Sequence, residues 1–210
     1  MKQIRKRLFI DDKMSSWERA KTIYLAVENG CNTVVFSFND KYFNNGIKRY
    51  KKLINTYALT IEAGGRDLSL LVPKKLFHSN RELFRMDQGV RKKDHHFCPT
   101  NPQTIRLISE NAQKWFDRIL QKTALPRIIH LLPDEGHENT WCACPACRAF
   151  SPAEQYLIAV NTVADVLAKF DRDARLCYID FDTEPDAEGI SPRKNMIINS
   201  AIDMDEFSHL

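Results

Sequence analysis

The sequence predicts an α/β fold of the (β/α) TIM-type barrel kind, incomplete, with about six of the eight βα units such a barrel needs. Short apolar runs alternate with amphipathic helical stretches along the chain, the pattern of parallel βα units. Polar and acidic residues follow run after run: Asp11 and Asp12, Asn39 and Asp40, Glu62, Asp134 and Glu135, Asp180 and Asp182. A barrel gathers its working residues at that end of its strands. No G-x-G-x-x-G or G-x-x-x-x-G-K-[ST] follows any run, so the usual nucleotide-binding reason for an open, doubly wound sheet is missing. On this reading residues 1–210 are one domain, completed by a further chain segment beyond Leu210 or by a second copy.

The elements follow in order. Arg7 to Ile10 is a short strand, and Ser15 with Glu18 then forms a capping box. Trp17, Ala20, Ile23, Tyr24 and Val27 recur at helical spacing, and Gly30 supplies the stop. "NTVVFSF" reads as a buried strand, before a helix that turns Ile47, Tyr50, Leu53, Ile54 and Tyr57 inward. "ALTIEAGGRDLSLLVP" is a third strand region, in which Gly64 and Gly65 mark a bulge or a close backbone approach to a ligand. A charged, histidine-containing connection, residues 74–100, is long enough to suggest function.

Asn101 and Pro102 open the next helix, with Ile105, Ile108, Ala112, Trp115 or Phe116, and Ile119 on its inner face. Trp17 and Trp115 are both read as packing. "RIIHLL" is a fourth strand, followed by a second long loop, 133–150. Ser151 and Glu154 cap a helix around Pro152, "ARLCYIDF" is a fifth strand and "NMIINSA" a sixth.

Composition narrows the function classes. Thirty-one basic against 27 acidic side chains leave a formal charge of +4, and the basic clusters "KQIRKR", "KRYKK" and "RKK" are short and dispersed. Neither a nucleic-acid partner nor a membrane surface is expected. The N-terminus shows no secretory signal, and no apolar run approaches the ~18 residues of a membrane span. The expected compartment is therefore the cytoplasm, where a tight cysteine cluster binds metal or packs as free thiol.

The chemistry concentrates in "HLLPDEGHENTWCACPAC", His130 to Cys147. Asp134 and Glu135 are adjacent carboxylates at a strand end, where their pKa values can be driven apart, one protonated to donate and one ionised. The plain alternative is a polar strand end that caps a loop. Cys142, Cys144 and Cys147 supply three of the four ligands that a structural zinc requires. Cys98 is the preferred fourth, since it would tie the two long loops together; His95, His96 and His137 are the others in range, and thiols without metal remain the alternative. No cofactor is expected for catalysis.

These same residues carry a resemblance. His130, Asp134 and Glu135 resemble the H-x-G-G-D-E motif of the β-N-acetylhexosaminidase barrels, with Leu132 and Pro133 in place of its glycines, and Trp141 with Cys144 and Cys147 resembles the W-x-x-C-P-x-C that often follows in bacterial members. From "EAGGRDLSLLVP" through "FCPTNP" to "CACPAC" the chain is similar to a bacterial domain-of-unknown-function family related to those hydrolases and to α-glucuronidases. The resemblance implies a carbohydrate substrate, amino-sugar or uronic-acid. It implies Glu135 as the general acid and Asp134 as the carboxylate that orients a substrate acetamido group acting as nucleophile.

Candidate sugar contacts are His130, Trp141, Arg66, Asn39, Tyr178 and Asp182. For His130 the alternative is a satisfied histidine in the barrel wall, for Arg66 an ion pair, and for Tyr178 core packing. For Trp141 it is anchoring of the cysteine loop. A non-catalytic, zinc-stabilised barrel that binds sugars is the competing function.

Overall fold

The computed structural model describes residues 6–10, 14–37, 40–66, 68–94, 96–120, 126–134, 140–179 and 189–199, with the backbone alone described for 40–47 and 199. In chain order the main elements are β1 (Arg7–Ile10), α1 (Ser16–Glu28), β2 (Thr33–Phe36), α2 (Asp40–Thr56) and β3 (Thr60–Gly65). A small hairpin follows, β4 (Met86–Asp87) and β5 (Val90–Arg91). Then come α3 (Pro102–Leu120), β6 (Ile128–Leu131), α4 (Pro152–Phe170), β7 (Arg175–Ile179) and β8 (Met196–Asn199).

Six strands form one parallel sheet in the order β1-β2-β3-β6-β7-β8. The order never reverses. Right-handed crossovers then put every helix on the same side, whereas a doubly wound sheet reverses its order and carries helices on both. Side-chain alternation agrees. Leu8, Ile10, Val34, Phe36, Ala63, Ile129, Leu131 and Leu176 share one face and pack in a single cluster with Ile23 of α1, Ile54 of α2, Phe116 of α3 and Val163 of α4. The other face presents Arg7, Phe9, Thr33, Val35, Glu62, His130 and Cys177, and this is the side a barrel turns inward. The winding is barrel-like; among the described residues β1 and β8 are edges and no strand pair closes the ring.

Both capping boxes form as the spacing implies. The Ser15 hydroxyl accepts from the Glu18 amide while the Glu18 carboxylate accepts from the Ser15 amide, and Ser151 and Glu154 repeat the arrangement. The inner face of α1 differs from expectation: Ile23 and Ala26 are buried, but Trp17 is 71% exposed and Tyr24 also faces solvent. At about 100° per residue, Trp17 and Tyr24 stand about 120° and 100° around the helix from Ile23, too far to share its contact line. Lys21 lies over the Trp17 ring instead. Tyr57 is likewise exposed, in the turn after α2, while Trp115 packs half-buried against the core.

The 74–100 connection is not structureless. Two 3₁₀ turns, Lys74–His78 and Arg81–Leu83, precede the hairpin, whose turn residues Gln88 and Gly89 both have left-handed φ, +49° and +79°. That combination suits a two-residue hairpin turn. No described helix is long and apolar enough to cross a membrane.

Gly64 decides how closely β3 and β6 approach. Its φ is +101°, and a Cβ there would collide with the backbone carbonyl of His130 across the ladder. Gly30, at the end of α1, has φ +82° and open space around its Cα. Gly64→Ala should therefore lose more than about 2 kcal/mol of stability, left-handed strain plus a backbone clash, and Gly30→Ala only about 1 kcal/mol. Urea unfolding of the two variants checks this, and equal losses would contradict it.

Candidate functional site

At the centre of the inner sheet face the Glu62 carboxylate accepts from Arg7 Nε at 2.7 Å and from His130 Nε2 at 2.6 Å. Three strands, β1, β3 and β6, contribute one residue each. Burial raises the Glu62 carboxyl, but the hydrogen bonds from His130 and Arg7 and their charges outweigh it and hold the group below its ordinary range. His130 is pushed down as well, first by burial, with the Arg7 charge adding to this and the Glu62 carboxylate opposing it. The pair is therefore an ionised Glu62 and a neutral His130 whose Nε2–H donates. This tautomer follows from the hydrogen-bond network. His130 Nδ1 is buried and has no hydrogen-bond partner among the described residues, and the Phe9 ring packs edge-on against the imidazole.

Beyond the end of β6, Asp134 Oδ1 accepts from the Ser69 hydroxyl at 3.1 Å, while Oδ2 is buried without a partner among the described residues. Arg66 donates from Nη1 to the Pro133 carbonyl and so ties the end of β3 to the segment carrying Asp134. Asp134 lies past the C-terminal end of β6, whereas Glu62, expected at a strand end, is the third of the six residues of β3 and sits within the sheet. Glu135, Asn39 and Asp182 fall outside the described residues, together with Asp11, Asp12 and Asp180.

Two expected sugar contacts are core residues. Tyr178 alternates onto the helix-covered face of β7 and is buried there, so it cannot line the inner face. Trp141 is 6% exposed; its ring is stacked on His96 at 4.4 Å and meets Phe97 edge-on. That is an anchor for the cysteine loop rather than an open platform beside the acid pair. His130 sits in the sheet wall, bonded to Glu62.

Cys142, Cys144 and Cys147 come together as their spacing suggested, and among the described residues the fourth member is Cys98, the preferred candidate, rather than a histidine. All four are buried, and their sulfurs lie within 4.8 Å of one another. Cys98 is held below its ordinary value by hydrogen bonds from Cys142 and Cys147, while Cys147 is pushed up by its hydrogen bonds with Cys142 and, next, Cys98. A cation among them would face thiolate on every side, so this donor set could hold a metal ion.

The surroundings prepare it. The Met86 amide donates to Cys142 Sγ at 3.2 Å, Arg91 Nη1 lies 3.8 Å from the same sulfur, and the Thr100 hydroxyl is 3.1 Å from Cys147 Sγ. Gln155 of α4 clamps the loop, with Oε1 accepting from the Cys142 amide and Nε2 donating to the carbonyls of Cys142, Cys147 and Phe150.

Sequence reasoning missed Arg7, Ser69, Arg91 and Gln155, and counted Glu62 only as a strand-end acid. For Glu62 a signal existed: one carboxylate inside "TIEAGG", on the same alternation as Gly64, points to a polar inner face. The others act across long stretches of chain and leave no local mark.

No family model matches the chain, and no curated protein matches it in sequence. Solved structures do match in shape. A GH20 catalytic module of the pneumococcal exo-β-D-N-acetylglucosaminidase StrH superposes with a TM-score of 0.59 at 14% identity, over 92% of this chain and 58% of that one. The α-galactosidase from Lactobacillus brevis gives a TM-score of 0.52 at 9% identity, over 84% and 27%. The fold is glycoside-hydrolase-like. The chain spans little more than half the length of the first of these hydrolases and about a quarter of the second.

The buried trio has a pH consequence. A depressed folded-state pKa means that the unfolded chain binds the proton more readily, so stability present above the unfolded value is lost on acidification. For His130 that loss begins as pH falls through about 6.5, and for Glu62 below about 4.5. The urea midpoint of the wild type should fall between pH 7.5 and 5.5. His130→Gln should flatten that interval, and an unchanged slope in the variant would refute the assignment.

Proposed function

We propose that the chain carries a glycoside-cleaving site for amino-sugar glycans at the C-terminal end of its sheet, with uronic-acid glycans as the other substrate class. One observation carries this reading: Asp134, at the end of β6 in a glycoside-hydrolase-like fold, has one carboxylate oxygen anchored by Ser69 and the other buried and unpartnered among the described residues. A buried acceptor without a donor costs free energy that a ligand's N–H or O–H would recover. The GH20 neighbour is a module of an exo-β-D-N-acetylglucosaminidase, which suggests an acetamido N–H as that donor. Arg66 fits a role in holding the loop, and Glu135 is assigned as the general acid by its place beside Asp134 in the motif.

General acid catalysis is worth on the order of a hundredfold to ten-thousandfold. On an aryl N-acetylglucosaminide, Glu135→Gln should abolish most turnover with a poor leaving group and spare an activated one, which needs little protonation. Asp134→Asn should impair both alike. Sugar binding without cleavage across a broad glycoside panel would instead support the competing function, a zinc-stabilised carbohydrate-binding barrel.

The metal reading is zinc in a structural role. Cys98 Sγ lies 3.7 Å from both Cys144 Sγ and Cys147 Sγ. Tetrahedral zinc–sulfur bonds of about 2.3 Å imply edges of about 3.8 Å. Elemental analysis of protein purified without chelator should find about one zinc per chain, as a four-ligand site requires. Cys98→Ala should lower that occupancy, and a metal-free wild type would overturn the reading.

A further inference from the structure

Tyr156 is buried in α4, and its hydroxyl stands between two strands. It donates to the Leu131 carbonyl at 2.6 Å and accepts from the Ile179 amide at 3.3 Å. The β6–β7 ladder runs through Ile128↔Arg175, Ile129↔Leu176 and His130↔Cys177 and then stops. The hydroxyl thus bridges the two strands just past the last rung. It joins the ends of β6 and β7 while holding them apart, and the β6 end leads directly into Asp134.

The cysteine cluster reaches the same hydroxyl by two short routes. Gln155, the chain neighbour of Tyr156, binds the backbone at Cys142, Cys147 and Phe150. Trp141, the chain neighbour of Cys142, packs its ring 6.1 Å from that of Tyr156. Its other contacts, His96 and Phe97, lead into Cys98. The 141–147 segment therefore packs on the residue that bridges the strands, and the segment carrying Cys98 packs on Trp141 behind it.

We propose that the four-cysteine centre, acting through Trp141 and Gln155 on Tyr156, sets the separation of the β6 and β7 ends, so that metal occupancy controls the position of Asp134. The inference rests on the metal reading of the cysteines and is independent of whether the site cleaves glycosides. Without a cation, the bonds that would tie the four sulfurs to one centre are missing and the 142–147 loop relaxes. Trp141 then shifts with Cys142, and the packing that holds the Tyr156 ring loosens. The β1–β2 half of the sheet shares none of these contacts and keeps its order. Tyr156 is a positioning residue in this scheme and touches no substrate.

Amide hydrogen exchange tests it on the full chain, zinc-loaded, stripped by chelator and reloaded with zinc alone. The Trp17→Phe and Trp115→Phe changes leave Trp141 as the sole indole reporter. Stripping should shift the Trp141 emission to the red and speed exchange at Leu132 and Ile179, while Val34 and Val35 keep their protection; zinc should reverse both. In zinc-loaded protein, Tyr156→Phe should speed Ile179 exchange about tenfold, the loss of one buried hydrogen bond of ordinary strength, with zinc content and Trp141 emission unchanged. A chain that takes up no zinc refutes the metal reading itself. Zinc bound with Ile179 exchange indifferent to its removal overturns the coupling alone. So does simultaneous loss of protection in every strand, or a Tyr156→Phe variant with Ile179 exchange like the parent.

Discussion

Six parallel strands laid down in chain order force all their helices onto one face, and the other face must then satisfy itself. The helix-covered face does so with aliphatic and aromatic side chains in one continuous cluster. The inner face carries a carboxylate, a guanidinium and an imidazole, all largely out of water, which is tolerable only because Glu62 receives both Arg7 and His130. Because these residues come from β1, β3 and β6, their mutual satisfaction depends on the register of the sheet and penalises any slip, since a one-residue shift would turn each of them into the apolar layer.

Gly64 belongs to the same constraint. Its left-handed backbone allows β3 to come against the His130 carbonyl, just where the imidazole reaches Glu62. Past the last rungs, Leu68 and Leu132 make single backbone bonds across to the neighbouring segment and a tyrosine hydroxyl takes over from the ladder. Asp134, anchored through one oxygen by Ser69, lies just past that end of β6.

The cysteine cluster answers a different problem. The segments after β3 and after β6 are long, and the first reaches the core through Leu68, Leu71, Phe84 and Phe97. Backbone pairing of Ala143 with Met86, the Gln155 clamp and the Trp141–His96 stack bring the two segments together, and four sulfurs gather at the junction. A metal tetrahedron closes the ends of such a junction with directional bonds that hydrophobic contact lacks.

Local order was legible in the sequence by itself. Alternation and 3.6-residue spacing located six strands and four helices, the Ser-x-x-Glu boxes placed the starts of α1 and α4, and the run Cys142, Cys144, Cys147 announced a shared centre, because each of these depends on the sterics and hydrogen bonding of residues a few positions apart. Only the tertiary structure decided that Cys98 joins that centre, that Arg7, Glu62 and His130 meet, and that Ser69 anchors Asp134. It also turned Trp141 and Tyr178 into the core and left Trp17 outside. Such pairings join residues tens of positions apart, and no local period encodes which faces a sheet will cover or which distant loops its strand ends will bring side by side.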